Sequence, residues 1–185
     1  MEQVVSVKVQ PLNAETFRPY GSVLGLKQPV FPEVEDGKPV MLMLRVKRAA
    51  NNRRLEQFAI HFSYNQTFIP LKGSMALVVA PPPRNRDAGP EGYELDYDRI
   101  AAFVMEPGDA AIVDKGTWHT IVALGAECLA ISGTRKGAER SDGGIVEVEG
   151  GKIPVSYDEA AKRSASFIEY VDLKKRDNRA VELEL

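Results

Sequence analysis

Histidine occurs only twice among the 185 residues of this chain, as His61 and His119. Each lies beside a hydrophobic run, in the segments IHFSYNQTFIPLKG and DKGTWHTIVAL. Imidazole has an ordinary pKa close to neutrality, so it can take or give a proton during catalysis, and it can also bind a metal ion. Two copies in matching settings therefore predict one site in which both imidazoles face each other, with proton transfer and metal binding both open at this point.

The segments around the histidines have the composition of strands. Short runs rich in Val, Ile, Leu and Phe alternate with Gly, Pro, Asn and Asp, which is typical of short β-strands joined by turns. These runs are VVSVKVQPL, VMLMLRVKR, LEQFAIHF, SMALVVAPP, AAFVME, DAAIVD, HTIVAL and CLAISGT. Because no long helical pattern separates them, the sequence predicts an all-β sandwich or barrel.

The two-residue period of a strand assigns a face to each histidine. In LEQFAIHF this period groups His61 with Gln57 and Ala59, and places Phe58 and Ile60 on the opposite face. In HTIVAL it groups the second histidine with the alternate apolar residues that follow it. Both imidazoles lie near strand ends, where the mouth of a barrel is expected.

Helical signals are confined to the two ends of the chain. Asn13 is the predicted N-cap of a short helix in NAETFRPYG, and SYDEAAKRSASFIEYVDLKKRDN predicts a C-terminal helix with acidic residues early and basic residues late. PPPRNRDAGPEGYELD is predicted to be a long loop between strands, and RKGAERSDGGIVEVEGGKIPV a glycine-punctuated hairpin that extends the sheet. RVKRAANNRR predicts two strands joined by a turn at Asn51 and Asn52.

Composition excludes several classes of partner. The 24 basic and 26 acidic side chains give a net charge of −2 and are scattered, whereas a nucleic-acid surface needs a basic patch. Cys128 is the single cysteine, which excludes an internal disulfide and fits a reducing compartment. The sequence shows neither a secretory signal nor an apolar run long enough for a bilayer. We therefore expect one cytoplasmic domain over residues 1–185 that acts on a small molecule.

The spacing of residues around the histidines resembles the two motifs of the cupin superfamily. The matching positions are His61, Gln66, Gly73, Gly108, Gly116 and His119. The resemblance implies a double-stranded β-helix, also called a jelly-roll barrel, with short terminal helices. In cupins the motifs supply three histidines and a glutamate to a metal ion, but here Ala59 and Gln66 replace one histidine and the glutamate. No metal cofactor is therefore expected, although a weakly bound divalent ion stays open.

Residues from about 6 to 137 further resemble the ureidoglycolate lyase family, formerly called ureidoglycolate hydrolases. The resemblance rests on HFSYNQTFIP, on Trp118 and His119 after a glycine turn, on SGTRKG and on PLNAETFRPYGSVL. It implies a lyase that releases glyoxylate and urea from ureidoglycolate in allantoin and purine degradation. It also implies a homodimer and a C-terminal extension that begins at about residue 138.

The resemblance also implies roles for individual residues. His61 and His119 are the expected catalytic acid–base pair. The residues expected to bind the substrate are Gln66, Lys72, Arg135 and Tyr64. An amide can hold the ureido group, and a cation can pair with the carboxylate. A second interpretation is a non-catalytic cupin that binds a small carboxylated metabolite, and turnover of ureidoglycolate separates the two. A metal-dependent cupin isomerase or dioxygenase is disfavoured by the missing ligands.

Overall fold

The structure is a computed structural model that describes residues 2–25, 29–35, 37–48, 53–88, 92–135, 146–149 and 169–185. Strands dominate it. They are β1 (Gln3–Pro11), β2 (Gly21–Val23), β3 (Pro39–Lys47), β4 (Arg54–Leu55), β5 (Gln57–Ile60), β6 (Gln66–Lys72), β7 (Met75–Ala80), β8 (Ala101–Met105), β9 (Ala111–Val113), β10 (Trp118–Ala123), β11 (Glu127–Arg135), β12 (Val146–Glu149), β13 (Glu169–Asp172) and β14 (Arg179–Glu184). Two short helices accompany them, α1 (Ala14–Phe17) and α2 (Leu173–Asp177).

The strands form two sheets of a jelly-roll barrel. The larger sheet has the order β13-β5-β10-β7-β8-β1-β14-β4, and the smaller has the order β12-β3-β11-β6-β9-β2. Most neighbours are antiparallel and far apart in sequence, as in the pairing of β11 with both β3 and β6. The prediction of an all-β barrel is confirmed by this arrangement, and the histidine-bearing strand β10 lies between β5 and β7.

The space between the two sheets is filled by what we call the inner core. Both sheets contribute alternate residues to it, and α1 closes one side with Phe17. Its buried members are Phe17, Tyr20, Leu44, Val46, Phe68, Met75, Leu77, Val79, Phe103, Met105, Ala111, Val113, Ile121, Ala123, Cys128 and Ala130. Because Ile121 and Ala123 belong to it, the two-residue period of β10 directs His119 into the same interior.

A second apolar layer, the outer core, packs on the other face of the larger sheet. Phe58 and Ile60 of β5 lie there together with Trp118 and Val122 of β10. The sheet curls so that β1, β14 and β4 cover this face, and Leu173 of α2 packs against it. The predicted separation of Phe58 and Ile60 from the face that carries the histidine is therefore confirmed.

The eight strand-like runs of the sequence all correspond to strands. The C-terminal helix was predicted too long, because residues 169–172 form β13, which pairs antiparallel with β5, and the described helix is confined to α2. The first part of that predicted helix and the turn at Asn51 and Asn52 lie outside the described residues. The Asn13 cap is confirmed, since its side chain accepts a hydrogen bond of 2.8 Å from the Glu15 N–H.

Residues 146–149 of the segment predicted as a sheet-extending hairpin do extend the sheet, whereas residues 136–145 and 150–155 of it lie outside the described residues. β12 joins the edge of the smaller sheet, and it runs parallel to β3. The loop between β7 and β8 contains two short 3₁₀ turns, Arg86–Ala88 and Tyr97–Arg99. Among the described residues, no helix has the length and apolar character needed to cross a membrane.

Candidate active site

His61 lies at the end of β5, just before the chain turns towards β6. Its side chain is 1% exposed, and its ring stacks on the Tyr64 ring at 3.9 Å between centroids. Its Nδ1 lies 2.7 Å from the Tyr64 carbonyl oxygen, and its Nε2 lies 3.1 Å from the terminal amide atom Oε1 of Gln66. The imidazole is therefore held at both nitrogens in the barrel interior.

His119 enters the same interior from the neighbouring strand. It is 4% exposed, with Nδ1 3.0 Å from the Thr117 carbonyl oxygen and Nε2 3.0 Å from Gln66 Oε1. The rings of His61 and His119 meet edge to face with their centroids 4.8 Å apart. The prediction that both imidazoles face each other within the barrel is confirmed by these distances.

The turn before His119 ties its strand to the end of β5. The Gly116 N–H donates a hydrogen bond of 2.7 Å to the His61 carbonyl oxygen, and Gly116 has a φ of 79°, in the left-handed region that favours glycine. A Cβ at this position would approach the side chains of Phe62 and Arg86 to 3.1 and 3.2 Å. Glycine at 116 therefore allows the two histidine-bearing segments to lie in direct contact.

Gln66 connects the two imidazoles to the smaller sheet. It is the first residue of β6 and pairs with Val113 of β9. Its terminal atom Nε2 lies 3.0 Å from the Ser132 hydroxyl, and Ser132 is fully buried on β11. A single amide therefore contacts both histidines at one end and a buried hydroxyl at the other.

Burial changes the protonation of both histidines. Desolvation, reinforced by the proximity of His119, lowers the pKa of His61 to about 3. Desolvation likewise lowers the pKa of His119 to about 4. Both imidazoles are thus neutral at neutral pH, and neither starts as an imidazolium that could serve as a proton donor.

The loop that follows His61 is held down by the segment before β3. Asn65 accepts a hydrogen bond of 2.8 Å from the Glu33 N–H and donates one of 3.1 Å to the Phe31 carbonyl. Lys115, in the turn before β10, pairs with Glu33 at 2.8 Å and with Glu35 at 2.6 Å. Through these contacts, residues 31–35 pack against the loop that follows His61 and the turn that precedes His119, at the barrel mouth.

Lys72 and Arg135, the two cationic side chains predicted to bind the substrate, lie at different distances from the histidines. Lys72 is exposed at the last position of β6, six residues beyond Gln66, or about 20 Å along the strand. The structure therefore does not bring Lys72 to the histidines. Arg135 is 4% exposed at the last position of β11, three residues beyond Ser132, with its guanidinium against Gly37. Arg135 thus lies at the same end of the barrel as the site.

Sequence reasoning missed Ser132. Residues 128, 130, 132 and 134 of β11 are buried and face the interior, and Ser132 and Thr134 are the polar members of this set. A serine at an inward position of CLAISGT was a usable signal, because a buried hydroxyl requires a partner. The role of Asn65 in holding the loop after His61 was not predicted, since it depends on contacts with a segment 32 and 34 residues away in the chain.

The two-sheet barrel with inward-facing imidazoles at one mouth defines a cupin-type protein. The sequence model of the ureidoglycolate lyase family matches residues 29–138, which is more than half of the chain. The chain therefore belongs to the ureidoglycolate lyase family. A protein of Agrobacterium fabrum (strain C58) named "Putative ureidoglycolate lyase" is 29% identical over 123 residues, which cover 62% of this chain and 72% of that protein.

Solved structures of more distant proteins align over part of the barrel. Oxalate decarboxylase from Bacillus subtilis aligns with a TM-score of 0.38 and 14% identity, over 69% of this chain and 27% of that chain. A dTDP sugar isomerase from Desulfovibrio desulfuricans G20 aligns with a TM-score of 0.38 and 17% identity, over 74% of this chain and 79% of that chain. The present chain spans about a quarter of the length of the decarboxylase.

The donor set of the site does not fit a resident metal ion. The described residues contain no group of three or more His, Cys, Asp or Glu side chains that could hold one. The converging groups are two imidazoles and one neutral amide, whereas catalytic zinc sites use three protein ligands that are His, Cys or carboxylate. Ala59 lies directly opposite His119 on β5 and presents a methyl group where a third imidazole would be needed.

Proposed function

We propose that this protein is a ureidoglycolate lyase, which releases glyoxylate and urea from ureidoglycolate in allantoin and purine degradation. Membership of the family supports the reaction class. The observation that carries the proposal is the convergence of His61 and His119, both neutral, with their Nε2 atoms within 3.1 Å of one Gln66 amide. Such a pair suits a reaction whose bond changes are driven by moving one proton.

The substrate itself dictates that requirement. Ureidoglycolate is a carbinolamide, in which one carbon carries a hydroxyl, a carboxylate and a ureido nitrogen. As the hydroxyl loses its proton, the oxygen electrons form the carbonyl of glyoxylate and the carbon–nitrogen bond breaks. The departing nitrogen takes up one proton and leaves as urea. Atoms and charge balance without an oxidant, a reductant or a co-reactant.

Because both histidines are neutral before the reaction, one of them must act first as a base and only then as an acid. A neutral imidazole receives the hydroxyl proton at Nε2, and the imidazolium so formed delivers that proton to the departing nitrogen. The second neutral imidazole accepts a hydrogen bond from the substrate and orients it. Positioned general acid–base catalysis of this kind contributes about 10²–10⁴-fold in rate.

Arg135 is the cation that we propose for the carboxylate. It is a buried guanidinium at the barrel mouth, and guanidinium groups bind carboxylates through two parallel hydrogen bonds. Tyr64, stacked on His61, forms the wall beside the ring. Lys72, at the far end of β6, has no part in this proposal.

The test is a coupled assay for glyoxylate and urea with racemic ureidoglycolate, run with and without a chelator. We expect equimolar products and activity that survives chelation, because the donor set does not fit a resident metal. Lys8→Gln, a change at an exposed position of β1, serves as the matched control for expression and folding. Absence of turnover by the folded protein would favour the non-catalytic binding module, and loss of turnover on chelation would overturn metal independence.

We further propose that the protein is a cytoplasmic homodimer. The outward face of the smaller sheet carries exposed Met41 and Leu71, at 67% and 47% exposure. Between them, the strand register aligns Met43 and Ile69 with Ile131. An apolar surface of this kind is typical of a subunit contact. Light scattering coupled to gel filtration measures the mass, and a monomeric mass would contradict the dimer.

A further inference from the structure

We propose that Gln66 is a positioning residue whose amide nitrogen, rather than its oxygen, faces the two histidines. In this arrangement one N–H of Gln66 donates to Nε2 of His61, the other N–H donates to Nε2 of His119, and the Ser132 hydroxyl donates to the amide oxygen. The proposal deepens the proposed function because it concerns the same site. Its test uses substrate-free protein, so it can fail while lyase activity stands.

The first step of the argument concerns Nδ1 of each ring. The Tyr64 carbonyl lies 2.7 Å from Nδ1 of His61, and the Thr117 carbonyl lies 3.0 Å from Nδ1 of His119. A carbonyl oxygen can only accept a hydrogen bond, so each Nδ1 must carry the proton that is donated. The backbone therefore selects the same tautomer in both rings.

The second step concerns Nε2. Both rings are buried and lie 4.8 Å apart, and burial lowers the pKa of each, so both are neutral. A neutral imidazole with its proton on Nδ1 carries a lone pair on Nε2 and accepts there. The amide atom 3.1 and 3.0 Å from the two Nε2 atoms must then be a donor.

The third step identifies that donor. The oxygen and nitrogen of a carboxamide occupy nearly equivalent positions, so the hydrogen-bonding partners decide which is which. Only the NH₂ group offers two protons for two lone pairs. A half-turn of the Gln66 amide exchanges Oε1 and Nε2 without moving the carbon skeleton, and the Ser132 hydroxyl, 3.0 Å from the other amide position, is able to donate. The two imidazoles, the Gln66 amide and the Ser132 hydroxyl then all have partners of the correct kind.

This arrangement explains why glutamine suits the position better than glutamate. A carboxylate at 66 would accept hydrogen bonds only, so each facing Nε2 would need a proton or a shared cation. Two imidazoles and a carboxylate are also a good donor set for divalent transition metals. Gln66 thereby keeps both imidazoles neutral in the substrate-free protein, and the substrate hydroxyl must replace a Gln66 N–H at Nε2 before that imidazole accepts its proton.

Imidazole ¹⁵N NMR of the uniformly labelled, substrate-free protein tests the proposal. The chain has only two histidines, so His61→Asn and His119→Asn assign both rings. We expect Nδ1–H tautomers in both rings at neutral pH, and a coupling across a hydrogen bond between the Gln66 amide nitrogen and each ring Nε2. A proton on either Nε2 at neutral pH, or the absence of both couplings, would overturn the proposal.

Gln66→Glu supplies the matched variant, because it changes one group without changing size. We expect the variant to bind one Zn²⁺ per chain by calorimetry, at a concentration at least tenfold below any binding by the wild type. Equal Zn²⁺ affinity in the two proteins would contradict the role given to Gln66, because the neutral amide would then not be what keeps a metal ion from the two imidazoles. If Gln66→Glu does not fold, Ser132→Ala provides the alternative test. Loss of the Ser132 hydroxyl should weaken the couplings between the Gln66 amide nitrogen and the two ring Nε2 atoms. Unchanged couplings would contradict the assignment of Ser132 as the donor to the amide oxygen.

Discussion

Acidification should destabilise this protein through its two histidines. In an unfolded chain both imidazoles have an ordinary pKa of 6.5, whereas in the folded protein burial lowers the pKa of His61 to about 3 and that of His119 to about 4. At a pH between the folded-state and the unfolded-state pKa values, the unfolded chain binds more protons than the folded protein does. The contribution of the two neutral histidines to the free energy of unfolding is therefore fully present above about pH 7, and it is lost progressively as the pH falls below 6.5.

The magnitude follows from the separation of the pKa values. At pH 5, protonation stabilises each histidine of the unfolded chain by about 2 kcal/mol, whereas the buried rings of the folded protein stay neutral. The two histidines together therefore lower the free energy of unfolding by about 4 kcal/mol. This is a large share of the roughly 5–15 kcal/mol that stabilises a typical domain. The loss should be complete only below about pH 3, where both rings are protonated in the folded state as well.

Urea unfolding at pH 8 and at pH 5, with wild type and with the double variant His61→Asn, His119→Asn, isolates this contribution. An asparagine amide can still donate to the backbone carbonyls that hold each Nδ1, and carboxylates titrate equally in both proteins. The wild type should lose about 4 kcal/mol more than the variant between the two conditions. An equal loss in both proteins would show that the histidines are not buried as neutral rings.

Three further predictions concern catalysis and the barrel mouth. Because both folded pKa values lie near 3 and 4, kcat/KM should stay level from pH 8 to about pH 5, and a fall centred on 6.5 would contradict neutral buried bases. Arg135→Met should raise KM far more than it lowers kcat, since the carboxylate is held alike in ground and transition states, and an unchanged KM would remove Arg135 from the substrate site. Asn65→Ala should lower the free energy of unfolding by about 1–3 kcal/mol in chemical denaturation, because it removes two hydrogen bonds to the backbone of Phe31 and Glu33 at about 0.5–1.5 kcal/mol each, and Asn65→Asp should lose less because it keeps the acceptor for the Glu33 N–H.

Much of the barrel was predictable because short runs rich in apolar residues mark β1, β3, β5, β7, β8, β9, β10 and β11. β6 escaped prediction because it contains Pro70, which lacks the N–H that a strand interior needs. The structure accommodates Pro70 opposite Ala130, where the register between β6 and β11 shifts. Residues 169–172 escaped for another reason: their helical composition is overridden by pairing with β5, which buries Val171 in the outer core.

The site was predictable in part. The strand period placed His61 and His119 on inward faces, so their meeting followed from the sequence. The contact between Gln66 and Ser132 could not be predicted from the sequence. Ser132 lies on β11, which is distant from β6 in the chain, and the register between these two strands is set by tertiary pairing. The choice between Lys72 and Arg135 was likewise open, since the distance of a cation from the site depends on where each strand ends.

The central claim is that His61 and His119 act as one catalytic unit, in which one imidazole carries the proton and the other orients the substrate. A kinetic cycle of glyoxylate release by wild type, His61→Asn, His119→Asn and the double variant tests it most directly. Each single replacement should lower kcat by about 10²-fold or more, and the double replacement should lose less than the product of the two single losses. Single variants that release glyoxylate at the wild-type rate, or losses that multiply fully, would contradict the claim.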